Sequence, residues 1–442
     1  MKKALIVLLS VLLFTAFTAS AGGQKEAASP SEVKGTLAIW LGYGETIKAY
    51  EKAKEIFQKK YPNVQVEILT FALREFEAKL ATSIPTGAGP DLLTYHDFIF
   101  TRYYEGGNYD PMPEDLVKIV NDPTKVDQAF TKIVTRDGKP WGAPIWTGRS
   151  ALFYNTDHLK EAGLTRPPDT VPELWQWAEK LVKKDASGQL TRAGLTMRLT
   201  GPSGGIQKFG YLYFQMTGNQ IFEVGDKIGN VRITFDDNLD IATQAVMDRI
   251  NHLHGPKKVD DWALKHDAQG FASGVASMLL RETWVIANTE KTGPDIKFGT
   301  ALMPKGKVRG AFNFFETLLV NKDSKLKGAT WDFVRIMYTP EIMNIILEDS
   351  GYIPLRKDFD YSAILANKPH HKAVMEAPSD YIQYIEAPNV AYEEMTTRTG
   401  EVIQEAYRNA SLVNNPEGVK KVVLKARDTA AAILKDAGIL SK

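Results

Sequence analysis

The sequence predicts an α/β protein built as two domains, and two observations carry that prediction. Strand and helix periodicities alternate from residue 36 to residue 95, the opening of a doubly wound parallel sheet. A chain of 442 residues also exceeds what one hydrophobic core organises and suits two.

Residues 36–41 (TLAIWL) read as a buried strand. Ile47, Tyr50, Ala53, Phe57 and Tyr61 then fall on one helical face, and Pro62-Asn63 breaks that helix. Val64, Val66 and Ile68 alternate with polar residues, giving a second strand. Leu73, Phe76, Leu80 and Ile84 mark a second helix running up to Pro85. The run Pro-Thr-Gly-Ala-Gly-Pro at 85–90 continues neither helix nor strand and forces a turn. Residues 91–95 (DLLTY) read as a buried parallel strand. His96 and Asp97 lie just past its C-terminal end, the edge where open α/β sheets bind ligands. Tyr43 and Glu45 occupy the equivalent loop after the first strand, and Trp40 reads as core or cleft wall.

Further along, Asp137-Gly138 is a hairpin signal. Residues 193–198 (AGLTMR) read as a strand. Gly201-Pro-Ser-Gly204-Gly205 opens a helix holding Phe209, Tyr211, Tyr213 and Phe214. Its N-terminal amides can donate to a polar ligand. Residues 239–253 form another helix, and 278–280 a buried strand followed closely by Trp284. The last stretch, to Lys442, is helical and amphipathic.

Composition removes several function classes. Basic and acidic residues number 54 and 53, without a basic stripe, so no nucleic-acid partner is expected. No cysteine is present, which excludes disulfides, thiol nucleophiles and cysteine metal sites. The seven histidines form no HExxH-like cluster. Residues 201–205 lack the Lys-Ser/Thr of a phosphate loop, and no GxGxxG occurs. No cofactor and no metal are expected. At the N-terminus, Lys2 and Lys3 precede an apolar run over 4–17 and the small residues Ala19-Ser20-Ala21-Gly22. This is a secretory signal over 1–22, too short for a membrane span, with a polar tether over 23–34.

Ordered segments of the chain resemble extracellular solute-binding proteins of carbohydrate ABC importers, the maltodextrin-binding type. They are Gly89-Pro-Asp91-Leu…His96-Asp97, Asp137-Gly-Lys…Gly142-Ala-Pro144…Ala151-Leu-Phe-Tyr154-Asn155, Phe271…Gly274-Val-Ala-Ser-Met278…Trp284, Trp331-Asp-Phe…Thr339-Pro340-Glu341 and Gly351-Tyr352-Ile-Pro354-Leu-Arg356. The chain departs from the pattern at Gly148, where such proteins carry an acid, and at Glu282, where they carry glycine.

The resemblance implies a periplasmic-binding-protein-like clamshell of two α/β lobes joined by multiple crossover hinge segments. The implied division is 35–146 with 312–350 for the N-terminal lobe, and 147–311 with 351–442 for the C-terminal lobe. The crossings fall near Pro144, Asn313 and Tyr352. It implies ligand contacts at Tyr43, Glu45, His96, Asp97, Trp146, Arg149, Gly204, Gly205, Trp284, Asn313, Glu316, Tyr352 and Arg356, with Trp284 as a platform against a sugar face. The implied function is a sugar or oligosaccharide receptor, periplasmic or extracellular and monomeric, that closes on its ligand and delivers it to ABC permease subunits. Without a lipobox cysteine, no lipid anchor is expected. Two alternatives share parts of this pattern: a secreted carbohydrate-active enzyme using two carboxylates such as Asp97 and Glu316, and a sensor subunit that presents its ligand.

Overall fold

The computed structural model describes residues 29–264 and 267–441. The expected signal at 1–22 and the tether up to residue 28 lie outside them. The architecture is a clamshell of two α/β lobes. Its first units are strand β1 (Gly35–Leu41), helix α1 (Ile47–Lys60), strand β2 (Val64–Thr70), helix α2 (Leu73–Ser83), strand β3 (Leu92–His96) and helix α3 (Asp97–Glu105). Strands β2 and β3 flank β1 in parallel. Tyr50, Ala53 and Phe57 of α1 and Phe76 and Leu80 of α2 are buried, on the faces their spacing predicts.

The turn before β3 is held by Asp91. Its carboxylate accepts from the Ala38 amide at 2.8 Å and from the Ser324 hydroxyl at 2.6 Å. One short side chain thus ties the turn to β1 and to the returning chain. The hairpin at Asp137-Gly138 has φ of 50° and 74°, the two left-handed positions that a two-residue hairpin needs.

Two long strands carry the chain between the lobes. They are β4 (Ala143–Asn155) and β7 (Gly310–Val320), which pair antiparallel with each other. Strands β5 (Met278–Glu282) and β6 (Phe298–Ala301) pair with the far half of β4. Strands β8 (Ile353–Pro354) and β9 (Ile382–Tyr384) attach to β4 and β7. All nine form one sheet, with the path β5-β4-β7-β3-β1-β2. The register of β4 and β7 slips by one residue between Glu316 and Thr317. A bulge there bends the pair and increases its twist.

Residues 193–198 are not a regular strand. They make single bridges, Ala193 to Ala276 and Thr196 to Leu279. Between the two bridges the Gly194 amide donates to the Val259 carbonyl at 2.9 Å. The segment runs beside β5 while packing on the helix Val171–Leu181, where a Cβ at Gly194 would lie 1.8 Å from the Ala178 carbonyl oxygen. Among the described residues, no helix is long and apolar enough to cross a membrane.

Candidate functional site

A cavity of about 890 Å³ opens over the crossing strands. One wall comes from the loop after β1 (Gly42, Tyr43, Glu45), from α2 (Leu73, Arg74) and from Phe98 of α3. The opposite wall comes from the first turns of helix α4 (Pro202–Thr217), the end of β5, and Trp284. Phe312 and Phe314 of β7 and Tyr352 close the floor. Each wall is a C-terminal strand end or a helix N-terminus, the positions expected for a ligand in an open α/β sheet.

Five of the residues singled out by sequence line this cavity: Tyr43, Glu45, Gly204, Trp284 and Tyr352. The Tyr352 hydroxyl donates to Glu45 Oε1 at 2.5 Å. Trp284 is half-buried; its indole N–H donates to Glu282 Oε2 at 3.1 Å, and the Arg281 guanidinium lies 5.0 Å from its ring.

The structure places the other eight elsewhere. Gly205 is buried inside α4, its amide bonded to the Gly201 carbonyl at 2.9 Å. His96 is fully buried, 3.3 Å from Glu77, with the Tyr43 ring over it at 5.7 Å. Asp97 is fully buried and accepts from the Phe315 amide at 3.2 Å. Trp146 is fully buried beneath Tyr352, its ring stacked at 3.8 Å. Arg149 donates to the Val374 carbonyl at 2.6 Å and to Gln383 at 2.8 Å, so it ties β4 to the C-terminal segments. Asn313 is fully buried within β7, its amide donating to the Ala311 carbonyl at 3.0 Å and its oxygen accepting from Thr147 at 3.3 Å. Arg356 is held by Asp358 and the Tyr338 carbonyl. Glu316 is fully buried and accepts from the Tyr50 hydroxyl at 2.7 Å. The two carboxylates of the enzyme alternative, Asp97 and Glu316, therefore lie in the core and not at the cavity.

Burial pushes the Glu316 carboxyl from its ordinary 4.5 up to about 8, against the Tyr50 hydrogen bond, which pulls it down. Between those values the folded chain keeps a proton that the unfolded chain has released. The stability contributed by the neutral carboxyl is complete below 4.5 and is lost as pH rises through about 8. The gap between wild-type and Glu316→Gln melting temperatures should therefore widen in the variant's favour from about pH 5 to about pH 8. A constant gap over that range would refute a protonated Glu316.

Sequence reasoning missed the charged floor of the second wall. Lys208, Arg281 and Glu282 line the cavity and are 3 %, 6 % and 4 % exposed. Lys208 and the Tyr211 hydroxyl both donate to Glu282 Oε1. Burial alone would raise the Glu282 carboxyl, but Arg281 and Lys208 more than offset this and hold it well below the usual carboxylate range. Burial brings the Lys208 ammonium down to about 8, against the pull of Glu282. Two signals were present. Arg281 and Glu282 are the last two residues of the buried strand that leads to Trp284. Gly204, Lys208 and Tyr211 share one face of α4, four and three residues apart. Among the described residues, no group of three His, Asp or Glu side chains is placed to hold a metal.

Residues 52–373 match the family described as bacterial extracellular solute-binding protein. The arabinooligosaccharide-binding protein of Bacillus subtilis is 25% identical over 379 residues, covering 83% of this chain and 83% of that one. The lactose-binding protein of Rhizobium radiobacter is 23% identical over 312 residues, covering 69% of this chain and 67% of that one. Among solved structures, an ABC substrate-binding protein from Listeria monocytogenes, in complex with cycloalternan, superposes with a TM-score of 0.75. It is 19% identical and covers 92% of this chain and 100% of its own.

Proposed function

We propose, from the premise that this chain belongs to the bacterial extracellular solute-binding proteins, that it receives a sugar or oligosaccharide between its lobes and passes it to an ABC importer. The observation that carries this reading is the chemistry of the cavity. It has an aromatic ring, Trp284, on one wall and hydroxyl, carboxylate and guanidinium groups around it. A sugar presents an apolar ring face with a hydroxyl rim. The ring face gains by burial against an indole. Hydroxyls left unpaired on burial would each cost about 1–3 kcal/mol, so the polar rim is needed as well.

The lobes divide as 35–146 with 312–350 against 147–311 with 351–442. The long strands β4 and β7, bulged where they cross, are the hinge about which the clamshell closes. Closure follows from the ligand's preference for the closed state, not from contact with one lobe alone. The protein acts outside the cytoplasm, as a monomer, and turns nothing over. In that last respect it is like its relatives, which are named as binding proteins.

The test is Trp284→Ala, followed by calorimetric titration with neutral and acidic oligosaccharides and by a melting curve. Losing the platform removes roughly 1–3 kcal/mol of apolar contact, about 5- to 150-fold in affinity. The melting temperature should move little, because the ring is only half-buried. A large fall in melting temperature with unchanged affinity would make Trp284 a packing residue and move the site elsewhere.

A further inference from the structure

The second wall of the cavity gathers positive charge. Three cations meet there: Arg198, Lys208 and Arg281. Among the described residues, two carboxylates pair with Lys208 and Arg281. Glu282 accepts from Lys208 and lies 3.6 Å from Arg281, and Asp267 lies 3.3 Å from Arg281 Nε. Arg198 is left over. Its Nε donates to the Thr200 carbonyl at 2.8 Å, and it forms no salt bridge among the described residues. Across the cavity, Arg74 pairs with Glu77 at 2.6 Å, and Glu45 accepts from the Tyr352 hydroxyl.

Arg198 also sits where a second set of donors converges. A Cβ at Gly201 would lie 2.7 Å from its guanidinium, and one at Gly204 2.8 Å. These two glycines let the guanidinium lie over the first turn of α4. There the amides of Ser203 and Gly204 have no acceptor within the helix, and the helix end is itself positive. Burial and the neighbouring Arg281 work against the Arg198 cation and outweigh the support of Asp267 and Glu282. A bound anion would relieve both.

We propose that the ligand is an acidic sugar, whose single carboxylate seats between Arg198 and the Ser203 and Gly204 amides while its ring lies toward Trp284. This rests on the sugar-receptor reading and narrows it. Among the described residues, Arg198 is the one of these three cations without an ion pair, which suits a single carboxylate. A phosphate carries about 1.5 to 2 negative charges, more than that one cation. A planar carboxylate also fits the paired donors of a guanidinium.

The experiment is a calorimetric titration of the whole mature protein with glucuronate- and galacturonate-containing oligosaccharides, their neutral parents, and the corresponding sugar phosphates. It is repeated with Arg198→Ala and Arg198→Lys, each checked by a melting curve. The uronate forms should bind at least about tenfold more tightly than the neutral parents, and added salt should shrink that ratio. Arg198→Ala should bring the ratio close to one, and Arg198→Lys should restore part of it. Neutral parents binding as tightly as uronates would overturn the inference and leave the sugar receptor standing. So would a ratio unmoved by Arg198→Ala in a folded variant. Preference for the phosphates would overturn the carboxylate assignment. Binding of none of the sugars would overturn the receptor reading, and this inference with it.

Discussion

Glu282→Ala is expected to destabilise the protein by roughly 3–5 kcal/mol, the usual cost of removing one partner from a buried ion pair. The carboxylate takes hydrogen bonds from Lys208, Tyr211 and the Trp284 indole, and Arg281 approaches to 3.6 Å. Without it, Lys208 loses its carboxylate partner and Arg281 keeps Asp267 at 3.3 Å. Neither cation can swing outward cheaply, since both are at least nine-tenths buried. Urea denaturation of the variant should show the midpoint falling with little change in slope. Joining Glu282→Leu to Lys208→Met should recover much of the loss, because a buried pair replaced whole by apolar side chains is often neutral. A single variant within about 1 kcal/mol of wild type would mean that this cluster is solvated in the native state.

Most of the fold was legible before the structure, and particular residues say why. Tyr50, Phe57, Phe76 and Leu80 repeat at helical spacing and are all buried. Val64 and Val66 alternate with polar residues and are buried too. Such amphipathic elements announce which face is inside. The crossing strands announce nothing of the kind. Every residue of β7, and all but Tyr154 of β4, is buried. A strand covered on both faces has no alternation to read. Trp146, Arg149, Asn313 and Glu316 could therefore be assigned to the right strands while their orientation stayed undetermined.

His96 and Asp97 illustrate a different limit. The rule that ligands sit beyond strand ends places them correctly along the strand, but the Tyr43 ring from the neighbouring loop covers His96. Which of two adjacent loops lies on top is a tertiary matter. Arg198 was hidden for a third reason. It lies in a segment with strand-like composition, and only tertiary pairing shows that the segment makes single bridges and not a regular strand.

Trp146→Ala should cost about 3–5 kcal/mol of stability, as large-to-small changes at fully buried aromatics do. The indole is fully buried and stacks on Tyr352 with ring centroids 3.8 Å apart and planes 7° from parallel. Tyr43 meets it edge-on at 5.0 Å and Phe314 at 5.9 Å. These three neighbours line the cavity, and Trp146 does not. It works as the layer beneath the floor. Removing it empties the space under Tyr352 and frees the ring that positions Glu45 through their hydrogen bond. Affinity should therefore fall as well, but as a consequence of the loosened floor. Trp146→Phe, which keeps a ring in the stack, should retain more of both properties, and the two losses should scale together across the variants. Urea denaturation and ligand titration on the same preparations test this. Abolished binding at unchanged stability would instead put the Trp146 ring in contact with the ligand.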